Sequence, residues 1–121
     1  MSLNLERLRF INAARAARWH KGGIESWSIT DWSNAMAGEM GEACNAVKKL
    51  RRIEDEIANL SEADDRQLSS VEQAIDKIAE EVADTVIYGD LLLARLGASL
   101  EAALVKKFNE VSVRYGFPER L

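Results

Sequence analysis

A chain of 121 residues with 47% hydrophobic content is long enough to bury one core and too short for two ordinary domains, so residues 1–121 are read as a single domain. One Pro and seven Gly stand against abundant Ala, Leu and Glu, a composition that favours helices and predicts an all-α protein. The net charge of −4 and a pI near 5.1 argue against a polyanion-binding surface, and hence against nucleic acid as a partner. No basic leader runs into an apolar segment and no apolar stretch approaches about 18 residues, so no membrane association is expected. The single cysteine, Cys44, cannot form an intramolecular disulfide, and a reducing cytoplasm is the expected location.

From Ser2 to about Lys21, apolar residues Leu5, Leu8, Ile11, Ala14 and Ala17 recur at three-residue steps and predict a first helix. His20 to Gly23 end it, and Ile24 to Thr30 form a loop carrying Trp27. Ser28 or Thr30 is positioned to cap a second helix through Trp32, Met36, Met40, Ala43, Val47 and Leu50, extending towards Leu60. The acidic, polar stretch 54–70 predicts a helical extension, a break and a connection. Ser69-Ser70-Val71-Glu72 has capping-box form, and Val71, Ile75, Ile78, Val82, Val86, Gly89, Leu93 and Leu96 sustain a long third helix. Gly97 suits its left-handed terminus. Ser99 caps a fourth helix with Leu100, Leu104, Phe108, Val111 and Tyr115 as its inner face, stopped by Gly116 and Pro118. The expected architecture is a four-helix bundle around one core.

Two acid pairs carry the chemistry. Glu39 and Glu42 lie three apart on the second helix, Glu81 and Asp84 three apart on the third, so the members of each pair point to one side, about 60° apart around the helix axis. Around the first pair, Trp32, Ala35, Ala46, Lys49 and Ile53 continue a largely apolar seam that the acids interrupt. Acids set in such a seam are costly unless a positive charge compensates them, and no Lys or Arg lies within three residues of Glu39, Glu42 or Asp84. A solvated charged face is the plain alternative, but both pairs together favour metal ligation. Four carboxylates without clustered His or Cys select a hard cation such as Mg²⁺ or Mn²⁺. A di-iron site would want Glu-x-x-His, and the lone His20 does not follow a glutamate by three. A cation held this way leaves positions for phosphate oxygens, which points to a polyphosphate attacked by activated water. No Walker-type glycine loop is present to cradle phosphate.

Other candidates are weaker. Trp32, seven residues before Glu39, and Trp27 could stack on a base, worth about 1–3 kcal/mol, although core filling is the commoner fate of tryptophan. Trp19 reads as core or interface. The run Lys48-Lys49-Leu50-Arg51-Arg52 reads as a solvated helix end, with Lys49, seven residues after Glu42, placed to neutralise a leaving pyrophosphate. Cys44 reads as a small buried hydrophobe.

The segments Gly38-Glu39-Met40-Gly41-Glu42-Ala43 and Glu80-Glu81-Val82-Ala83-Asp84-Thr85-Val86-Ile87-Tyr88 resemble those of the MazG-like all-α nucleoside triphosphate pyrophosphohydrolases, most of all the small integron-type and dCTPase-like members. The resemblance covers about Trp27 to Tyr115. It implies that Glu39, Glu42, Glu81 and Asp84 bind Mg²⁺, for which Mn²⁺ can substitute, and that a nucleoside triphosphate is cut to monophosphate and pyrophosphate, with Glu39 or Glu42 also able to take a proton from the attacking water. The acids are separated by residues 43–80, longer than is usual for the motif. Lys107-Phe108-Asn109 has the residue types found on the family's last helix at a spacing that differs from the dCTPase-like pattern.

Broad apolar stripes, with Phe10, Trp19 and Leu91 to Leu93, predict a homodimer or dimer of dimers. The resemblance implies that Trp27 or Asn109 is lent to a neighbour's pocket. The expected activity is house-cleaning or nucleotide-pool control. The alternative is a non-catalytic helical interaction protein whose acids form inter-subunit salt bridges to the Lys48–Arg52 run.

Overall fold

The computed structural model describes residues 3–121, and among them every long regular element is an α-helix: α1 (Leu5–Trp19), α2 (Ile29–Ala58), α3 (Asp65–Arg95) and α4 (Leu100–Tyr115). A single 3₁₀ turn, Gly23–Ser26, precedes α2. The all-α expectation holds, with no strand among the described residues.

Short polar side chains set the helix starts. Asn4 Oδ1 accepts the Arg7 N–H at 2.7 Å, and Ser99 Oγ accepts that of Ala102 at 3.1 Å. At α2, Ser28 is the cap: its Oγ accepts the Asp31 N–H at 3.1 Å while the Asp31 carboxylate accepts the Ser28 N–H at 2.9 Å. Those bonds to Ser28 hold the Asp31 carboxyl below its ordinary range. The third helix starts earlier than its sequence suggests, because Asp64 and Gln67 form the same reciprocal box, at 2.8 and 2.9 Å, one turn ahead of Ser69. Ser70 lies inside the helix and donates its hydroxyl to the Arg66 carbonyl at 3.0 Å. The connection shrinks to residues 59–64. Gly97 and Gly116 take the left-handed conformation, with φ of 71° and 72°, closing α3 and α4 as expected.

The chain divides into two compact units, the described residues up to Trp32 with Gly89–Leu121, and Ser33–Tyr88. In the first, α1 packs against the 3₁₀ turn and α4 around Ala16, Trp32 and Leu91. Its interior also holds Asp90, which is fully buried. Asp90 accepts hydrogen bonds from Arg9 Nε at 2.8 Å and Asn12 Nδ2 at 3.0 Å. The buried face of α1 therefore follows Leu8, Asn12 and Ala16 at four-residue steps. The three-step stripe read from the sequence turns outward, leaving Ile11 exposed. Trp19 is also exposed, under the Arg15 guanidinium at 4.9 Å. On α4, Leu104, Phe108 and Tyr115 are exposed although they read as its inner face.

The second unit consists of the arms of α2 and α3 joined by residues 59–64. Ala43, Ala46 and Glu81 are its buried side chains. Its large apolar residues behave contrary to expectation: Met40, Val47, Leu68, Ile75, Val82 and Val86 are all exposed. On α3 the buried face keeps Ile78 of the apolar stripe but then runs through Glu81 and Thr85, one position before Val82 and Val86. Cys44 is exposed as well, correcting its reading as a buried hydrophobe, because the inward positions around it are Ala43 and Ala46. The basic run 48–52 lies within α2 rather than at its end, and Arg51 pairs with Asp55 at 3.0 Å on the surface.

Asp90 gives a direct test of the first unit. Asp90→Ala leaves the Arg9 guanidinium without its buried partner and is expected to cost about 3–5 kcal/mol, read as a lower urea midpoint at unchanged slope.

Candidate metal centre

Within the Ser33–Tyr88 unit, α2 supplies Glu39 and α3 supplies Glu81 and Asp84, and one carboxylate oxygen from each lies within 4.8 Å of the others. Glu42 stands beside them, within hydrogen-bonding reach of Glu81. It faces a groove of about 280 Å³ lined also by Asn45, Ala46, Lys49, Lys77 and Glu81. The helical i, i+3 spacing thus does what the sequence requires, bringing acids from two helices to one place, with Glu42 on its flank. The small side chains of Ala43 and Ala46 leave room for carboxylates beside them.

Glu81 is the unusual member. It is 4% exposed, its Oε1 lies 2.7 Å from Lys77 Nζ, and its Oε2 is buried with no hydrogen-bond donor. The Lys77 ammonium is the main reason that the Glu81 carboxyl is held below its ordinary value, against the cost of burial. Protons on Glu42 and Glu39 assist when those acids carry them. Glu39 is pushed the other way, first by desolvation, then by its hydrogen bond with Glu81 and the charges of Glu42, Asp84 and Glu81.

These residues fit a hard divalent cation. Octahedral coordination at about 2.0–2.1 Å spaces ligand oxygens about 3–4 Å apart, so a cluster already within 4.8 Å needs only side-chain adjustment to close. A cation would also satisfy the buried Oε2, which no protein group serves. Glu39, Glu81 and Asp84 would hold it, with Glu42 adjacent. The all-oxygen donor set suits Mg²⁺ or Mn²⁺.

The remaining sequence candidates separate. Lys49 lines the groove beside Glu42 and Glu81. Trp27 and Trp32 belong to the other unit, where their rings lie 4.5 Å apart and His20 meets both edge-on, at 4.6 and 5.4 Å. Trp32 is 1% exposed and donates its indole N–H to the Ile24 carbonyl at 2.9 Å. It fills the core and offers no face to a base, which corrects its reading as a stacking platform. Trp27 is half-buried, and its carbonyl accepts from Arg95 Nε at 3.1 Å. Asn109 accepts the Leu121 N–H at 2.9 Å and donates to the Leu121 carbonyl at 3.4 Å, so here it tethers residues 117–121 to α4 rather than reaching for substrate.

Lys77 and Asn45 were missed from sequence. Lys77 precedes Glu81 by four, a spacing at which helical side chains meet, so its signal was present. Asn45 had none.

Comparison with protein-family models, with curated proteins and with solved structures finds no match. The resemblance to MazG-like enzymes therefore rests on the motif residues alone.

The raised Glu39 carboxyl fixes the sign of a stability test. Its proton is held more tightly in the folded chain, so ionising Glu39 costs stability as pH rises above the ordinary value of 4.5. Glu39→Gln is expected to raise the melting temperature in chelator at neutral pH. The gain should vanish below that value, where wild-type Glu39 is protonated in both states.

Proposed function

We propose that the protein is a Mg²⁺-dependent pyrophosphohydrolase converting (deoxy)nucleoside triphosphates to the monophosphate and pyrophosphate, in nucleotide house-cleaning or pool control. The observation that carries the cation requirement is the buried, donorless Oε2 of Glu81, a residue whose carboxylate lies in one cluster with those of Glu39 and Asp84. The motif resemblance supplies the reaction class.

A bound divalent cation contributes charge neutralisation on the phosphates and acidification of water. The chain's own residues do the rest. Glu81 and Asp84 serve as fixed ligands. Glu39 or Glu42 is also able to accept a proton from the attacking water. Lys49, in the groove beside Glu42, is placed to meet negative charge building on the leaving pyrophosphate.

A panel of nucleoside and deoxynucleoside triphosphates with Mg²⁺, assayed for pyrophosphate, tests the reading. Glu42→Gln and Asp84→Asn are each expected to abolish turnover while leaving the helical circular-dichroism signal intact. Chelation should do the same to the wild type, and Mn²⁺ should restore activity. Full pyrophosphate release by both variants would refute the assignment.

We further infer a homodimer or dimer of dimers. Leu68, Ile75 and Val82 recur every seven residues on the exposed side of α3, and Met40 and Val47 do so on α2, the spacing of a helix-packing seam. Gly38, before the first acid pair, and Gly41, within it, have open space where a Cβ would sit. No described residue lies close enough to require glycine there, although each costs about 0.5–1 kcal/mol in a helix interior, and a close approach by a second copy is what we infer for them. The same exposed stripes favour the rival reading, a non-catalytic interaction protein. It predicts cation binding without turnover, which the substrate panel separates. Light scattering at micromolar concentration is expected to give a multiple of 13.5 kDa, and a fully active monomer would overturn the oligomer.

A further inference from the structure

Lys77 joins the acid cluster to the groove. Its ammonium sits 2.7 Å from Oε1 of the buried Glu81 and 3.7 Å from Glu80, while its side chain is 60% exposed. The head is held by a buried carboxylate while most of the side chain meets solvent. Helix geometry alone does not favour this pair: with Lys on the N-terminal side of Glu at i, i+4, the order is the weaker of the two. What favours it is the crowding of Glu39, Glu42 and Asp84 around Glu81, which leaves Lys77 as the positive charge in contact with that carboxylate.

We propose that Lys77 is the internal counter-ion of the acid cluster, antagonistic to the divalent cation, and that cation binding releases its ammonium into the adjoining groove to meet an anionic phosphate. The inference rests on reading the acids as a cation site. A dication held by Glu39, Glu81 and Asp84 and an ammonium on Oε1 of the same Glu81 are separated by little more than one carboxylate, so each weakens the other wherever the dication sits among the three oxygens. Once displaced, Lys77 has a ready destination, because it lines the same groove as Asn45 and Lys49. Cation binding would then do two things at once: satisfy the buried Oε2 of Glu81, and convert a lysine neutralised by carboxylate into one available to phosphate. The coupling is reciprocal, so an anion that draws Lys77 away tightens cation binding.

The test is Mn²⁺ titration by calorimetry and by electron paramagnetic resonance of the free ion, on full-length wild type, Lys77→Gln, Lys77→Arg and Lys49→Gln. Lys77→Gln is expected to bind Mn²⁺ about tenfold more tightly, within the roughly 5–150-fold range of site couplings. Lys77→Arg should stay near wild type, and Lys49→Gln should change far less than Lys77→Gln, because Lys49 shares the groove without pairing to Glu81. At saturating Mn²⁺, pyrophosphate should bind Lys77→Gln about tenfold more weakly than wild type. Unchanged or weaker Mn²⁺ affinity in Lys77→Gln, equal tightening in Lys49→Gln, or unaltered pyrophosphate affinity would each overturn the exchange while leaving the cation site standing. A wild type that binds no Mn²⁺ would overturn both.

Discussion

The cost of burying one carboxylate organises the Ser33–Tyr88 unit. Glu81 is taken almost wholly out of water, and a charge in that position must be met by an opposite charge or give up its ionisation. Lys77 meets half of the requirement at Oε1, and among the described residues no hydrogen-bond donor meets Oε2. Placing Glu39, Glu42 and Asp84 around the same group makes the problem worse from the standpoint of folding. Such an arrangement makes sense when a partner outside the chain supplies positive charge, since the stability lost by the empty cluster reappears as affinity for that partner.

A contrast within the same chain sharpens the point. Asp90 is buried more completely than Glu81, yet both of its oxygens receive hydrogen bonds, from Arg9 and Asn12, so its charge is answered by the fold itself. Two buried carboxylates in one small protein thus show two solutions. One is closed and structural, worth several kcal/mol only if its partner is removed. The other is open on one side, which is the signature expected of a site that exchanges its counter-charge.

Much of the fold was legible because helix starts and stops depend on a few short-range hydrogen bonds. Ser99, Gly97 and Gly116 could be placed from residue type alone, and each does what its chemistry suggests, while the choice between Ser28 and Thr30 falls to Ser28. The start of α3 misled because Ser69-Ser70-Val71-Glu72 and Asp64–Gln67 both satisfy the capping pattern, and the earlier one wins by extending the helix. The acid cluster was legible for a similar reason, since i, i+3 geometry needs no knowledge of neighbours. What failed was the assignment of inner faces. On α1, α3 and α4 several of the most buried positions, Asn12, Glu81, Asp90 and Ser112, are polar, and periodicity of apolar residues cannot rank them above Ile11, Val82 or Phe108, which are exposed. Trp32 was misjudged in the opposite sense: its distance along the helix from Glu39 suggested a shared face, whereas its indole N–H is tied to Ile24 in the core of the other unit.

The mismatch of stripes is itself informative. Hydrophobic burial contributes about 25 cal/mol per Å², and the Ser33–Tyr88 unit keeps Met40, Val47, Leu68, Ile75, Val82 and Val86 about half exposed, while Leu50, Ile53, Ile57 and Ile78 are only partly buried. Two helical arms with that pattern do not secure a charged cluster by their own apolar packing. The residues that would supply the missing burial are already spaced at seven on the outward sides of α2 and α3, on the same helices that carry the acids. A second surface packed there would stiffen the arms bearing Glu39, Glu81 and Asp84, so the geometry of the proposed cation site and the association of the chain would be coupled by the same two helices.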